Sequence, residues 1–150
     1  MLVELVADLY PEAKLLPDNP IERAQTRFFV EFIGARLLPA FFGFVFKGDV
    51  GAPLTSALEI VQQRLPRNQT FFGGDKPNLA DISVAPFLAR IELQLKNDLG
   101  AFPEGEGRKL YEVLFKDERF HVLRDYIHAL MARESFKKTF NEVRDYAPGA

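Results

Sequence analysis

Phe71-Phe72-Gly73-Gly74-Asp75-Lys76-Pro77-Asn78-Leu79-Ala80-Asp81-Ile82 reads as a loop running into a capped helix. Two aromatics and a glycine pair mark the loop, and Pro77 closes it. Asn78 is a strong N-cap residue in front of an apolar run. Asp81 occupies the third helical position, from which its carboxylate can reach back to the Asn78 backbone in a shortened capping box. The pattern predicts a helix from Leu79 to about Lys96. On it Ile82, Pro86, Ala89 and Leu93 face one way, and Ser83, Phe87, Arg90 and Gln94 another. The Asp81 carboxylate is read as structural, because it satisfies helix-start donors and sits at the positive end of the helix dipole.

Upstream of the loop, Leu54 to Leu65 forms a shorter amphipathic helix with Leu54, Leu58, Val61 and Leu65 inward, stopped by Pro66 and preceded by a turn over Gly48 to Pro53. Before it runs a long helix, Pro20 to Lys47, with Asn19 as N-cap, Pro20 at the first helical position and Glu22 at the third. Phe28, Phe32, Ala35, Leu38 and Phe42 make one stripe at core-like spacing, and Leu37, Phe41 and Phe44 an adjacent one. Pro39 removes the backbone bond to Ala35, so a bend is expected at mid-helix. Arg23, Arg27 and Glu31 form a polar face on its first half. Pro11 to Pro20 is a proline-rich connector, and Leu2 to Tyr10 a short helix with Leu2, Leu5, Val6 and Leu9 on one face. That helix starts at the first residue without a cap, as a chain cut inside a larger fold would.

Downstream, Asn97 to Gly107 is a loop rich in glycine and acidic residues. Leu110 to Lys116 is predicted as a helix. Glu118 to Ala132 is another, with Val122, Leu123, Tyr126, Ile127 and Leu130 apolar, and Ser135 to Tyr146 a third. The tail from Ala147 to Ala150 is expected to be loose. With no alternating strand pattern and no internal repeat, the fold class is all-α.

Composition narrows the function. The 150 residues fit one domain with a real core, and 15 Phe against no Trp and no Cys imply a dense core, an apolar groove or both. The absence of Cys excludes disulfides, thiolate metal sites and a cysteine nucleophile within these residues. A net charge of −2, from 19 basic and 21 acidic side chains without a basic stripe, offers nothing to nucleic acid or an anionic membrane. No signal peptide is visible at the N-terminus. The apolar run Phe28 to Phe46 is interrupted by Glu31, Gly34, Arg36 and Pro39, which suits a buried helix better than a membrane span. His121 and His128, seven residues apart with no Cys partner, read as ordinary helix residues rather than metal ligands.

The run from Phe71 to Ile82 resembles the loop and helix start at the centre of the helical domain of cytosolic glutathione transferases. There a capping residue, more often Ser or Thr, and a buried Asp three positions on hold the core helix. Pro86 followed by Arg90-Ile91-Glu92 is similar to the omega class, including omega-like fungal members. Met131-Ala132-Arg133-Glu134-Ser135-Phe136-Lys137-Lys138-Thr139 is similar to the family's closing helices. The resemblance covers nearly the whole chain. It implies a glutathione-transferase C-terminal-type bundle of five to seven helices over residues 12–150. Residues 1–11 are then a remnant of the last helix of a thioredoxin-like N-terminal half.

The same resemblance implies a function and a set of residues. The chain would be the hydrophobic-substrate domain of an omega-like transferase acting in thiol transfer, deglutathionylation or conjugation of aromatic compounds. Glutathione would be bound mainly by the other half, which would also carry the Cys, Ser or Tyr that activates it, so no catalytic residue is assigned here. Leu37, Phe41, Phe44 and Phe87 match the wall of the substrate site, although core packing explains such stripes equally. Arg90 is either the cation at the rim of that site or one half of an ion pair near Glu92. Arg23, Arg27 and Glu31 are either dimer contacts or a solvated face. The implied partners are hydrophobic or phenolic small molecules and a second copy of the chain, in the cytoplasm. Two other classes stay open: a non-catalytic protein-interaction module, and a ligandin that binds apolar compounds without turning them over.

Overall fold

The computed structural model describes residues 2–140 and contains, among them, seven helices and no named strand. They are α1 (Leu2–Leu9), α2 (Pro20–Lys47), α3 (Ala52–Arg64), α4 (Leu79–Lys96), α5 (Glu106–Lys116), α6 (His121–Met131) and α7 (Glu134–Thr139). The all-α reading and most boundaries agree with the sequence. Helix α5 begins a turn earlier than expected, and a 3-10 turn over Glu118–Phe120, capped by Asp117, precedes α6. The predicted continuation of the last helix beyond residue 140, and the tail, lie outside the described residues.

Helix α4 is the axle of the bundle, with α2, α5 and α6 packed around it and α1 touching it from the fourth side. Leu79, Ala80, Val84, Leu88, Ala89, Ile91 and Leu95 are all 1 % exposed or less and give the helix a wide buried face. A helix buried over so much of its circumference belongs at the centre of a bundle. The two strips read from the sequence, headed by Ile82 and Ser83, are instead its more accessible sides: Ile82, Pro86, Leu93, Ser83, Phe87, Arg90 and Gln94 are half-buried, and only Ala89 is buried. The long helix needed the larger correction. Its core seam is Phe29, Ile33, Leu37, Phe41 and Val45, with Phe44 beside it. Phe28 and Phe42 of the expected core stripe are exposed, as is Ala35, while Phe32 and Leu38 are half-buried.

The physical reason is a change of helical period. A seam at steps of four drifts 40° per step in a 3.6-residue helix and cannot stay on one face for long. Here two π-helical turns, Ile33–Leu37 and Gly43–Lys47, widen the helix and absorb that drift. The first lies just before Pro39, and the Leu38 amide there bonds to the Ile33 carbonyl, five residues back. Pro39 thus costs the helix one donor, and a π turn takes up the misfit next to it. By length and composition α2 could cross a membrane, its most apolar 18-residue window having a mean hydropathy of 1.7. Its buried seam, however, forms one wall of the domain core.

Further out, α3 presents Leu54, Ala57, Leu58, Val61 and Leu65 inward. Phe102, in the loop before α5, stacks on Phe44 with ring centroids 4.5 Å apart, and the Ala101 amide bonds to the Val45 carbonyl at 2.6 Å. Asp98, at a positive φ of 55°, places its carboxylate on the Gly105 amide at 2.6 Å and the Arg108 amide at 3.2 Å, fixing the start of α5.

Candidate functional site

The junction of loop and central helix is held by one carboxylate. Asp81 is fully buried, and its Oδ1 accepts from the Phe72 amide at 2.8 Å and the Tyr126 hydroxyl at 2.7 Å. Its Oδ2 accepts from the amides of Gly73 at 3.0 Å and Asn78 at 2.8 Å. Four donors use most of what a carboxylate can accept. Asn78 completes the capping box, its Oδ1 accepting from the Ala80 amide at 2.9 Å. Its amide Nδ2 donates to Thr26 Oγ1 at 3.3 Å, and that hydroxyl donates to the Glu22 carbonyl at 2.9 Å, tying α4 to α2. The Leu79 amide also bonds to the Leu15 carbonyl at 2.8 Å, fastening the connector. At Gly73 a Cβ would lie 2.5 Å from the Lys76 carbonyl oxygen and 2.7 Å from the Asn78 nitrogen, so the loop admits only glycine there. Burial, then the nearby Asp81 charge and the bond to it, push the Tyr126 phenol well above its ordinary range, and the hydroxyl stays a donor. With every polar atom of Asp81 engaged in shaping the fold, this cluster does structural work.

A groove able to receive a ligand lies along the accessible side of α4. It has a volume of about 600 Å³ and is lined by Ile82, Ala85, Pro86 and Arg90 of α4 with Arg133, Ser135, Phe136, Thr139 and Phe140. The rings of Phe136 and Phe140 stack at 5.1 Å, giving a flat aromatic wall. Pro86 has no amide hydrogen, so the Ile82 carbonyl lacks its usual donor four residues on. An apolar trough with two arginines in its lining can hold a flat aromatic compound and orient an acidic or hydroxyl group on it.

The residues expected from the sequence to line the substrate site are not gathered there. Arg90 lines the groove, and Phe87 is half-buried three residues before it without lining it. Leu37, Phe41 and Phe44 are 0 %, 2 % and 3 % exposed and belong to the core. Arg133, Phe136 and Phe140, which also line the groove, were not among the residues expected from the sequence. They come from the chain's far end, and only the run of aromatics spaced by four on α7 pointed to them. Of the polar face on α2, Arg27 pairs with Glu4 at 2.9 Å and Arg23 donates to the Pro17 carbonyl at 3.0 Å, so both fasten the N-terminal segment. Glu31 is exposed. His121 Nδ1 lies 2.9 Å from the Glu118 carbonyl oxygen and His128 Nε2 3.8 Å from a Glu92 carboxylate oxygen. No group of three or more side chains placed to hold a metal ion occurs among the described residues.

Comparison with known proteins places this geometry. The model of the glutathione S-transferase C-terminal domain matches residues 49–129. Glutathione transferase Omega 1C from Trametes versicolor superposes with a TM-score of 0.88 at 43 % identity, over 95 % of this chain and 59 % of that one. Omega 2S from the same fungus, solved in complex with 2,4-dihydroxybenzophenone, gives 0.83 at 40 % identity over 90 % of this chain and 57 % of that one. Among curated proteins, pyrimidodiazepine synthase of Drosophila melanogaster is 33 % identical over 94 residues, covering 62 % of this chain and 38 % of that protein. Glutathione S-transferase omega-1 of Mus musculus is 32 % identical over 108 residues, covering 67 % and 45 %. The chain therefore spans less than half the length of these curated relatives and under two thirds of the solved ones. Capped core helix, bundle and sequence together make this chain a member of the glutathione S-transferase C-terminal domain family, of the omega-like kind.

Proposed function

We propose that the chain is the hydrophobic-substrate domain of an omega-like glutathione transferase, and that its substrate lies in the groove between α4 and α7. The observation that carries this is the groove's make-up: stacked Phe136 and Phe140, apolar Ile82 and Pro86, and the guanidinium groups of Arg90 and Arg133. Such a site suits diaryl or phenolic compounds, in which a ring lies on the aromatic wall and a phenolate or carboxylate meets a guanidinium. The dihydroxybenzophenone held by the Omega 2S relative belongs to that chemical class. The burial of Leu37, Phe41 and Phe44 favours a packing role behind the site for these three, with Phe87 and Arg90 nearer the ligand.

In the whole protein, glutathione is bound by a thioredoxin-like half, and residues 1–11 are the last helix of that half. The exposed Leu5, Val6, Leu9 and Tyr10 are surface for it to cover. The chain's share of the reaction is positioning: holding the acceptor against a thiolate supplied elsewhere. A cytosolic homodimer, with Arg23, Arg27 and Glu31 near the contact, completes the proposal. The test is calorimetric titration of the chain with 2,4-dihydroxybenzophenone. Arg90→Gln and Phe136→Ala should each weaken binding by about 1–3 kcal/mol. Unchanged affinity in both variants, at unchanged helicity, removes the groove from the reading.

A further inference from the structure

Ser135 lines the same groove as Arg90 and Arg133, and the chain around it carries a charge pattern of its own. Arg133 stands two residues before it, Phe136 directly after it, and Lys137 and Lys138 two and three residues after it. Protein kinases with an acidic substrate cleft select serines by such flanking cations. Of the three serines in the chain, Ser56 and Ser83 have no basic residue within three positions. Thr26 stands between Arg23 and Arg27 but is 1 % exposed, out of a kinase's reach. We propose that Ser135 is a phosphorylation site for a base-directed protein kinase, and that its phosphate seats on Arg90 and Arg133 and shuts the groove to acidic ligands. The last step rests on the reading of the groove as the substrate site.

Ser135 is exposed, at the second position of α7. A kinase takes its substrate as an extended strand, so α7 has to unwind locally. That helix is six residues long and buries none of them, so its opening costs little. The pair between Lys138 and Glu134, at 3.0 Å and mostly exposed on both sides, opposes it weakly. In the transfer the Ser135 Oγ attacks the γ-phosphorus of MgATP, its proton passes to the kinase's catalytic carboxylate, and the bond to the bridging oxygen of the departing ADP breaks. The product carries a charge of about −2 at neutral pH where a neutral hydroxyl stood. Once α7 reforms, that dianion enters a groove lined by two arginines. Phosphate oxygens accept paired bonds from guanidinium groups, so the phosphate takes the cations that the acid of a ligand needs, and repels that acid as well. An uncharged ring loses neither, because the wall of Phe136 and Phe140 remains.

The full chain is incubated with protein kinase C and MgATP. Its intact mass should rise by one phosphoryl group, peptide mapping should place that group on Ser135, and Ser135→Ala should abolish it. Lys137→Gln together with Lys138→Gln should slow incorporation about fivefold or more, as the loss of two guiding charges. Seating of the phosphate is read from its phosphorus NMR signal across pH. In the folded chain the last proton should leave at least about half a pH unit below its value in the phosphorylated peptide of residues 131–139, because further cations favour the dianion. Arg90→Gln lies outside the stretch a kinase reads, and at unchanged helicity it should return the signal toward the peptide value. Calorimetry then compares 4-benzoylbenzoate with benzophenone, its matched compound without the acid. Phosphorylation should weaken the acid about tenfold or more, and the ketone less than about twofold. No phosphate on Ser135, a signal that titrates as in the peptide and ignores Arg90→Gln, or an acid bound equally well before and after phosphorylation overturns the proposal. If the unmodified chain binds neither compound, the groove falls as the substrate site, and the mass and phosphorus measurements still decide the modification.

Discussion

Asp81→Ala tests the assignment on which the fold rests. The substitution strips the acceptor from the amides of Phe72, Gly73 and Asn78 and from the Tyr126 hydroxyl. The bonds from Asn78 and Tyr126 are buried, while those from Phe72 and Gly73 are only partly so. A buried donor left without a partner costs about 1–3 kcal/mol, and a partly exposed one costs less because water can reach it. Two of each gives a loss of about 3–5 kcal/mol once relaxation is allowed for, a large share of a domain's stability. Asn78→Ala removes the cap on the Ala80 amide and the bond to Thr26, and should cost about 1–2 kcal/mol.

Urea unfolding followed by far-ultraviolet circular dichroism measures both. With a slope of about 1–3 kcal/mol per molar urea, the Asp81→Ala midpoint should fall by about 1–5 M. A second arm isolates the long-range bond. Tyr126→Phe alone should cost about 1.5–3 kcal/mol, as a hydrogen bond to a charged group. In the Asp81→Ala background the same change should cost almost nothing, because the hydroxyl has already lost its acceptor. A midpoint shift under about 0.5 M for Asp81→Ala, or full additivity with Tyr126→Phe, refutes the reasoning.

Phe41→Ala, at a position 2 % exposed, should destabilise by about 3–5 kcal/mol as a core truncation and leave benzophenone affinity unchanged when the folded fraction is accounted for. Calorimetry below the melting transition decides between that outcome and a direct role in the substrate site. Asp98 should make α5 acid-sensitive: its carboxyl is held below the ordinary 3.8, chiefly by the Gly105 amide, against the opposing effect of desolvation, with the Arg108 and Gly107 amides and the Arg108 charge adding to it. A lowered pKa gives stability that is complete above the unfolded value and lost as pH falls through the lower folded one. The thermal-midpoint gap between wild type and Asp98→Asn should therefore be constant above about pH 5 and close below 3.8. Finally, on the proposed division of labour, in which these residues only position the acceptor, the purified chain should show no glutathione-dependent thiol transfer or conjugation above the buffer rate. Turnover by these residues alone overturns that division of labour.

What the sequence disclosed follows the range of the interactions concerned. The start of helix α4 was legible because the capping-box bonds between Asn78 and Asp81 and to the Ala80 amide span three residues or fewer, and such chemistry is written locally. Asn19 marked the start of α2 for the same reason. The core seam of α2 was not legible. The seam takes Leu37 and Phe41 from the second stripe and adds Phe29, Ile33 and Val45, which neither stripe included, because π turns shift the period to four. The best local sign of those turns was Pro39, which had been expected to bend the helix. Thr26 was not singled out, and Tyr126 was read only as an apolar helix residue, because their hydrogen-bond partners lie 52 and 45 residues away. The groove is the extreme case: Arg90 was identified on its own helix, but its companions are supplied by Arg133, by α7 and by Phe140 just beyond it. A site built from two distant segments becomes readable only when packing has brought them together. The residues that line the groove were therefore the last to emerge, whereas the caps that make the packing possible were the first.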